Sequence, residues 1–174
     1  STLIIDKERK GATDWKALRK ENNIFGRAFK RQTPKKYLEG KLAVPCEYIR
    51  ISSEYGVQRK YMMEGKEISR WGHKGIDFSN IPGIPIVAVA DGKAVVSKVM
   101  KVHGKSIVID HGQGILSTYN HLSERFVKPG QWVKKGQIIG RIGMTGLITG
   151  AHLHFGLSVN NVRVDPAEWF ERKL

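Results

Sequence analysis

A chain of 174 residues with 30 Lys+Arg against 16 Asp+Glu, 40% hydrophobic and 26% charged, is long enough for one domain with its own core and too apolar for wholesale disorder. Cys46 is the only cysteine, which excludes an internal disulfide framework, and the longest apolar stretch, residues 81–90, is interrupted by Pro82, Gly83 and Pro85 and is far short of the ~20 residues of a membrane-spanning helix. The formal charge of +14 is spread along the chain, which suits an anionic partner such as nucleic acid or cell envelope without choosing between them.

In chain order, Thr13 is placed to cap a short helix over residues 14–21, with Trp15, Leu18 and Ile24 as its apolar stripe. Residues 30–36 are basic, contain Pro34 and read as a surface crossing. From Val44 onward short apolar or alternating runs are separated by glycine and asparagine turns, predicting strands at 48–52, 85–90, 93–102, 106–110, 115–121, 137–142, 152–159 and 162–164. Asp91-Gly92 and Asn160-Asn161 are hairpin signals, and residues 166–172 predict a closing helix with Pro166 in its first turn. The expected architecture is mainly β, an antiparallel two-sheet sandwich or barrel-like body with a short helix near each end. Residues 1–45 are expected to be a partly helical extension and residues 46–174 the functional domain. The chain starts at Ser1 and its first apolar run is only residues 3–5, so it reads as a processed piece whose targeting segment or anchor lies outside it.

Six histidines occur, His73, His103, His111, His121, His152 and His154. A strand through His73-Lys74-Gly75-Ile76-Asp77 places His73, Gly75 and Asp77 on one face, with Gly75 leaving that face open. In Ala151-His152-Leu153-His154-Phe155 the two imidazoles share a face while Leu153 and Phe155 point into apolar packing. Two histidines and a carboxylate with an open fourth position is a catalytic zinc arrangement. The residues alone leave open which of His152 and His154 is the ligand. There is no His-Glu-x-x-His helix, so proton transfer falls to the spare histidines. His103-Gly104 and His111-Gly112 read as a turn and a strand end outside the site. Tyr119 either lines the groove or packs in the core, and Arg59 either meets a substrate carboxylate or is a surface charge. The glycines from Gly140 to Gly150 shape loops walling a cleft; the Gly-x-x-x-x-Gly-Lys-Ser/Thr of a phosphate loop does not occur.

These blocks resemble the LytM/lysostaphin-type zinc endopeptidases. The resemblance runs through Ile51-Ser52-Ser53-Glu54-Tyr55-Gly56 with Arg59, His73-Lys74-Gly75-Ile76-Asp77-Phe78, Pro85-Ile86-Val87-Ala88-Val89, Thr118-Tyr119-Asn120-His121-Leu122, Gly143-Met144-Thr145-Gly146 and Gly150-Ala151-His152-Leu153-His154-Phe155. Ala151 departs from the proline usual in the family. The resemblance implies the duplicated hybrid motif fold, a barrel-sandwich hybrid, and one zinc on His73, Asp77 and His154, with His121 and His152 flanking the fourth position as catalytic residues. It also implies peptidoglycan peptide stems as substrate, a D,D-endopeptidase cutting D-Ala–diaminopimelate cross-links, and a periplasmic, envelope or secreted location. A catalytically silent relative that binds cell wall or activates a wall hydrolase is the competing expectation. No recognition-helix, RNP or finger pattern supports nucleic-acid binding.

Overall fold

Alternating and glycine-punctuated sequence builds thirteen strands and two helices in a computed structural model that describes residues 2–4, 15–63 and 66–172. The elements are β1 (Thr2–Ile4), α1 (Trp15–Phe29), β2 (Arg50–Ser53), β3 (Gln58–Met63), β4 (Lys66–Gly72), β5 (Ile76–Ser79), β6 (Pro85–Val87), β7 (Gly92–Val99), β8 (Lys105–Asp110), β9 (Ile115–Arg125), β10 (Trp132–Val133), β11 (Ile138–Ile142), β12 (His152–Val159), β13 (Val162–Val164) and α2 (Pro166–Glu171). The main sheet runs β10-β7-β8-β9-β12-β5-β2, with β13 on β12, and all its pairings are antiparallel. β1, β3 and β4 form a separate small sheet in which β1 and β3 are parallel.

The mainly β, antiparallel expectation holds, with short helices towards both ends. β9 pairs with β8 and β12 over its first part and with β11 over its last, so this one strand passes from the main sheet to a layer shared with β6. Phe78, Ile86, Ile139, Leu153 and Phe155 form part of the core cluster, each no more than 2% exposed. Leu38, Leu42 and Cys46, from the irregular stretch after α1, join the same cluster.

Several local expectations are corrected. The proposed cap at Thr13 lies outside the described residues. α1 runs on to Phe29 instead of ending at residue 21, because Phe25, Ala28 and Phe29 extend its apolar face onto Met100, Val108 and Leu116; this packing overrides the poor helix propensities of Asn22, Asn23 and Gly26. Asn160-Asn161, with φ of 48° and 67°, turns β12 into β13 as predicted. Asp91-Gly92 closes no hairpin: β6 pairs β11 and β7 pairs β8 and β10, while the Asp91 carboxylate accepts from Lys134 Nζ and Lys135 N–H. β3 and β4 were not predicted; their charged, irregular alternation gives no period-two signal.

Candidate metal centre

The register of β12 against β5 sets His154 opposite Asp77, so both side chains rise from one face of the main sheet. His73 arrives differently from the strand anticipated in the sequence. β5 begins only at Ile76, and His73 stands beyond the end of β4, its N–H donating to Val57 O and its C=O accepting from Gly56. A straight strand would separate His73 from Asp77 by about 13 Å. The bend at residues 73–75 instead places His73 Nε2 3.0 Å from Asp77 Oδ1. Gly75 is required in that bend, since a Cβ there would overlap Phe155 O and stand 3.0 Å from His154 Nε2.

Three ligand atoms therefore converge. His154 Nδ1 is 2.8 Å from Asp77 Oδ1 and 2.9 Å from His73 Nε2. Two imidazole nitrogens and one carboxylate oxygen are the donor set zinc prefers, and this cluster is able to hold a metal ion. The backbone also selects the tautomer of His73: Nδ1–H donates to Glu54 O at 2.8 Å, leaving the Nε2 lone pair to the cluster.

Two more imidazoles flank the cluster. His152 follows the alternation of β12, with Leu153 and Phe155 fully buried on the other face. Its Nε2 is 3.8 Å from Asp77 Oδ1, and its Nδ1–H donates to Gly150 O. His121 reaches the same cavity because its φ of 66° breaks the alternation of β9, allowing both Asn120 and His121 to face the cleft. The His121 ring centroid is 5.0 Å from that of His152, and Nδ1–H donates to Thr145 O at 3.0 Å. Asn120, opposite His154 in the register, keeps a buried Oδ1 with no hydrogen-bond partner.

Electrostatics follow from burial and pairing. Burial pushes the Asp77 carboxyl up, but its pairing with the His154 and His73 imidazoles outweighs it and holds the group well below the usual carboxylate range. Burial lowers His121 to about 3, helped by the neighbouring His154 and His152, so its imidazole is neutral at pH 7. Arg59 is not a lone surface charge: it lines the cavity, and its Nη2 donates to Asp77 Oδ2 at 2.6 Å and to Ser53 Oγ at 3.0 Å. Tyr119 is a core residue, and His111 is buried elsewhere between Asp91 O and Ser117 Oγ. His103 does line the cavity, but its ring is engaged by Glu21.

The cluster opens into a cavity of about 1410 Å³. Exposed apolar side chains Ile49, Trp71, Ile81 and Leu147 stand around it, and the glycine-rich loop before β12 supplies part of the wall, as its composition suggested. Leu18, Asn22 and Phe25 of α1 form another part. The sequence leaves open whether residues 1–45 cover the cleft or brace the β-body, and it gives no sign of Glu21, a residue only 6% exposed whose partners lie about eighty positions downstream.

The fold and the cluster together define a β-domain built around a two-histidine, one-carboxylate centre. The sequence profile described as Peptidase family M23 matches residues 71–166, and the chain belongs to that family. It is 34% identical over 154 residues to peptidoglycan DD-endopeptidase ShyB of Vibrio cholerae, covering 88% of this chain and 33% of that protein. Among solved structures, a peptidase M23 from Pseudomonas aeruginosa superposes with a TM-score of 0.76 at 33% identity, over 91% of this chain and 63% of that one. A zinc-containing peptidase from Vibrio cholerae superposes with a TM-score of 0.62 at 31% identity, over 83% and 41% of the two chains. The chain thus spans about a third of the length of the curated relative ShyB.

Proposed function

We propose that this chain is a zinc-dependent endopeptidase that hydrolyses peptide cross-links of bacterial peptidoglycan, with the D-Ala–diaminopimelate bond as target, in the periplasm or cell envelope. The observation that carries the reading is the convergence of His73 Nε2, Asp77 Oδ1 and His154 Nδ1 in a cleft that also holds His121 and His152. The name of the ShyB relative, a peptidoglycan DD-endopeptidase, supports the substrate class.

His73, Asp77 and His154 would hold one zinc, which when bound supplies a Lewis acid and a water acidified towards neutrality. The remaining work belongs to side chains of this protein. His121 and His152 each have Nδ1–H tied to a backbone carbonyl, so each offers an Nε2 lone pair. Between them they take a proton from the attacking water and return it to the leaving amine. The apolar rim holds the stem and thins the water around the scissile bond. The positive surface favours approach to an anionic wall.

The test is metal content of the purified chain together with digestion of isolated peptidoglycan before and after chelation. One zinc per chain and chelator-sensitive conversion of cross-linked muropeptide dimers to monomers are expected. A metal-loaded protein that leaves the dimers intact overturns the reading in favour of a binding or activating role.

A further inference from the structure

We infer that Glu21 on α1 is a positioning residue for the proposed reaction, holding the loop that in turn holds His121. The inference rests on the peptidase reading for its functional part. Glu21 Oε1 accepts from Lys101 N–H at 2.6 Å and Val102 N–H at 3.1 Å. Oε2 accepts from Val102 N–H at 3.2 Å, His103 N–H at 3.1 Å and His103 Nδ1–H at 2.8 Å. A single ionised side chain thus organises the β7–β8 loop through charge-assisted hydrogen bonds. Burial works to raise its pKa, but the bonds from His103, Val102 and Lys101 prevail and bring it down to about 2.

That loop touches the site at three points. His103 O accepts the His121 N–H at 3.0 Å, and Val102 O accepts the Leu147 N–H at 2.8 Å. Gly104 packs so closely on Thr145 that a Cβ would overlap it, and Thr145 O is the acceptor for the His121 ring. His121 leans on these contacts because a positive φ is uncommon for any residue that carries a side chain. The same clamp fixes α1 as the wall carrying Leu18 and Phe25. The N-terminal helix is therefore part of the site's framework, and its register on the sheet sets where His121 stands.

The experiment compares the full chain with Glu21→Gln, whose amide cannot accept from all of these donors, and with Ile24→Ala, which loosens the packing of α1 at a side chain that is no partner in the Glu21 bonds. Amide hydrogen exchange is followed by NMR, and cleavage is followed on purified cross-linked muropeptide. In Glu21→Gln, exchange at Val102, His103, His121 and Leu147 is expected to rise about tenfold or more while β8 and β12 stay protected. kcat is expected to fall roughly 10–100-fold, with KM within about twofold and zinc content unchanged. Ile24→Ala is expected to spread a smaller exchange change along α1 instead. Unchanged exchange at His121 and Leu147, or a loss carried wholly by KM, overturns the inference. Should Glu21→Gln fail to fold, Glu21→Asp, which keeps the charge but shortens the reach, is read in the same way. A wild-type chain that cleaves nothing, with the exchange response intact, overturns the peptidase reading while the coupling from Glu21 to His121 stands.

Discussion

Arg59 grips the outer oxygen of Asp77, Nη2 to Oδ2 at 2.6 Å, while the inner oxygen faces His73 and His154. A guanidinium in this position locks the carboxylate rotamer and turns Oδ1 towards the two imidazoles, the office of an outer partner at metal sites. Arg59→Met keeps much of the side-chain volume and removes the grip. Zinc affinity is expected to drop about 10–100-fold, read by competition with a chromophoric chelator. Affinity equal to wild type would remove Arg59 from the metal-binding argument.

His121 and His152 contribute no atom to the three-ligand cluster, so their removal should separate metal binding from turnover. In His152→Ala and His121→Ala the zinc content is expected to stay at the wild-type level. Muropeptide cleavage is expected to fall by roughly 10²–10⁴-fold in each variant. Retained cleavage in either variant would exclude that imidazole from proton transfer.

Gly75 sets how closely the His73 loop approaches β12. In Gly75→Ala the new methyl meets Phe155 O and the His154 ring, and the backbone on one side must give way. A loss of about 1–3 kcal/mol in unfolding free energy is expected from this overpacking, with weakened zinc binding alongside. Denaturant titration and the same chelator competition measure the two effects. A variant with wild-type stability would mean that the bend relaxes freely.

Much of this centre is legible in the sequence, and its legible parts are local ones. His152 and His154 sit on one face because β12 is a regular strand, and alternation alone places Leu153 and Phe155 in the core. His73 and Asp77 are brought together by the opposite device, a bend, so the pair meets by a geometry that alternation did not anticipate. Arg59 lies on β3, a strand with no readable period, and its pairing with Asp77 emerges only once β3 and β4 form their own small sheet. Glu21 is the clearest limit: nothing in a helical Glu among lysines and asparagines signals backbone N–H groups eighty positions away. Such long-range satisfaction of a buried carboxylate is a property of the packed chain.

Buried imidazoles give the fold an acid sensitivity whose sign is fixed. Burial lowers His111 from 6.5 to about 4, so between those values the unfolded chain takes up a proton that the folded chain refuses. Stability therefore falls as pH drops through that window, and in chelator-treated protein His121 and His154 act in the same direction. Glu21, lowered from 4.5 to about 2, adds a further loss below pH 4.5. Thermal melts of chelator-treated protein from pH 7.5 to 4.5 are expected to show a falling Tm. His111→Asn, which preserves a donor to Asp91 O, is expected to flatten part of the slope. An unchanged slope in that variant would mean His111 takes up its proton equally in both states.

The left-handed φ of 66° at His121 has a consequence for how this chain can change. A backbone conformation disfavoured for side-chain-bearing residues by about 1 kcal/mol occurs at the position where the His121 imidazole enters the cleft. Glycine would occupy it with less strain. Random variation screened for thermal resistance alone should therefore drift towards a sturdier chain with no imidazole at this position, whereas screening for wall cleavage should hold the strained histidine in place.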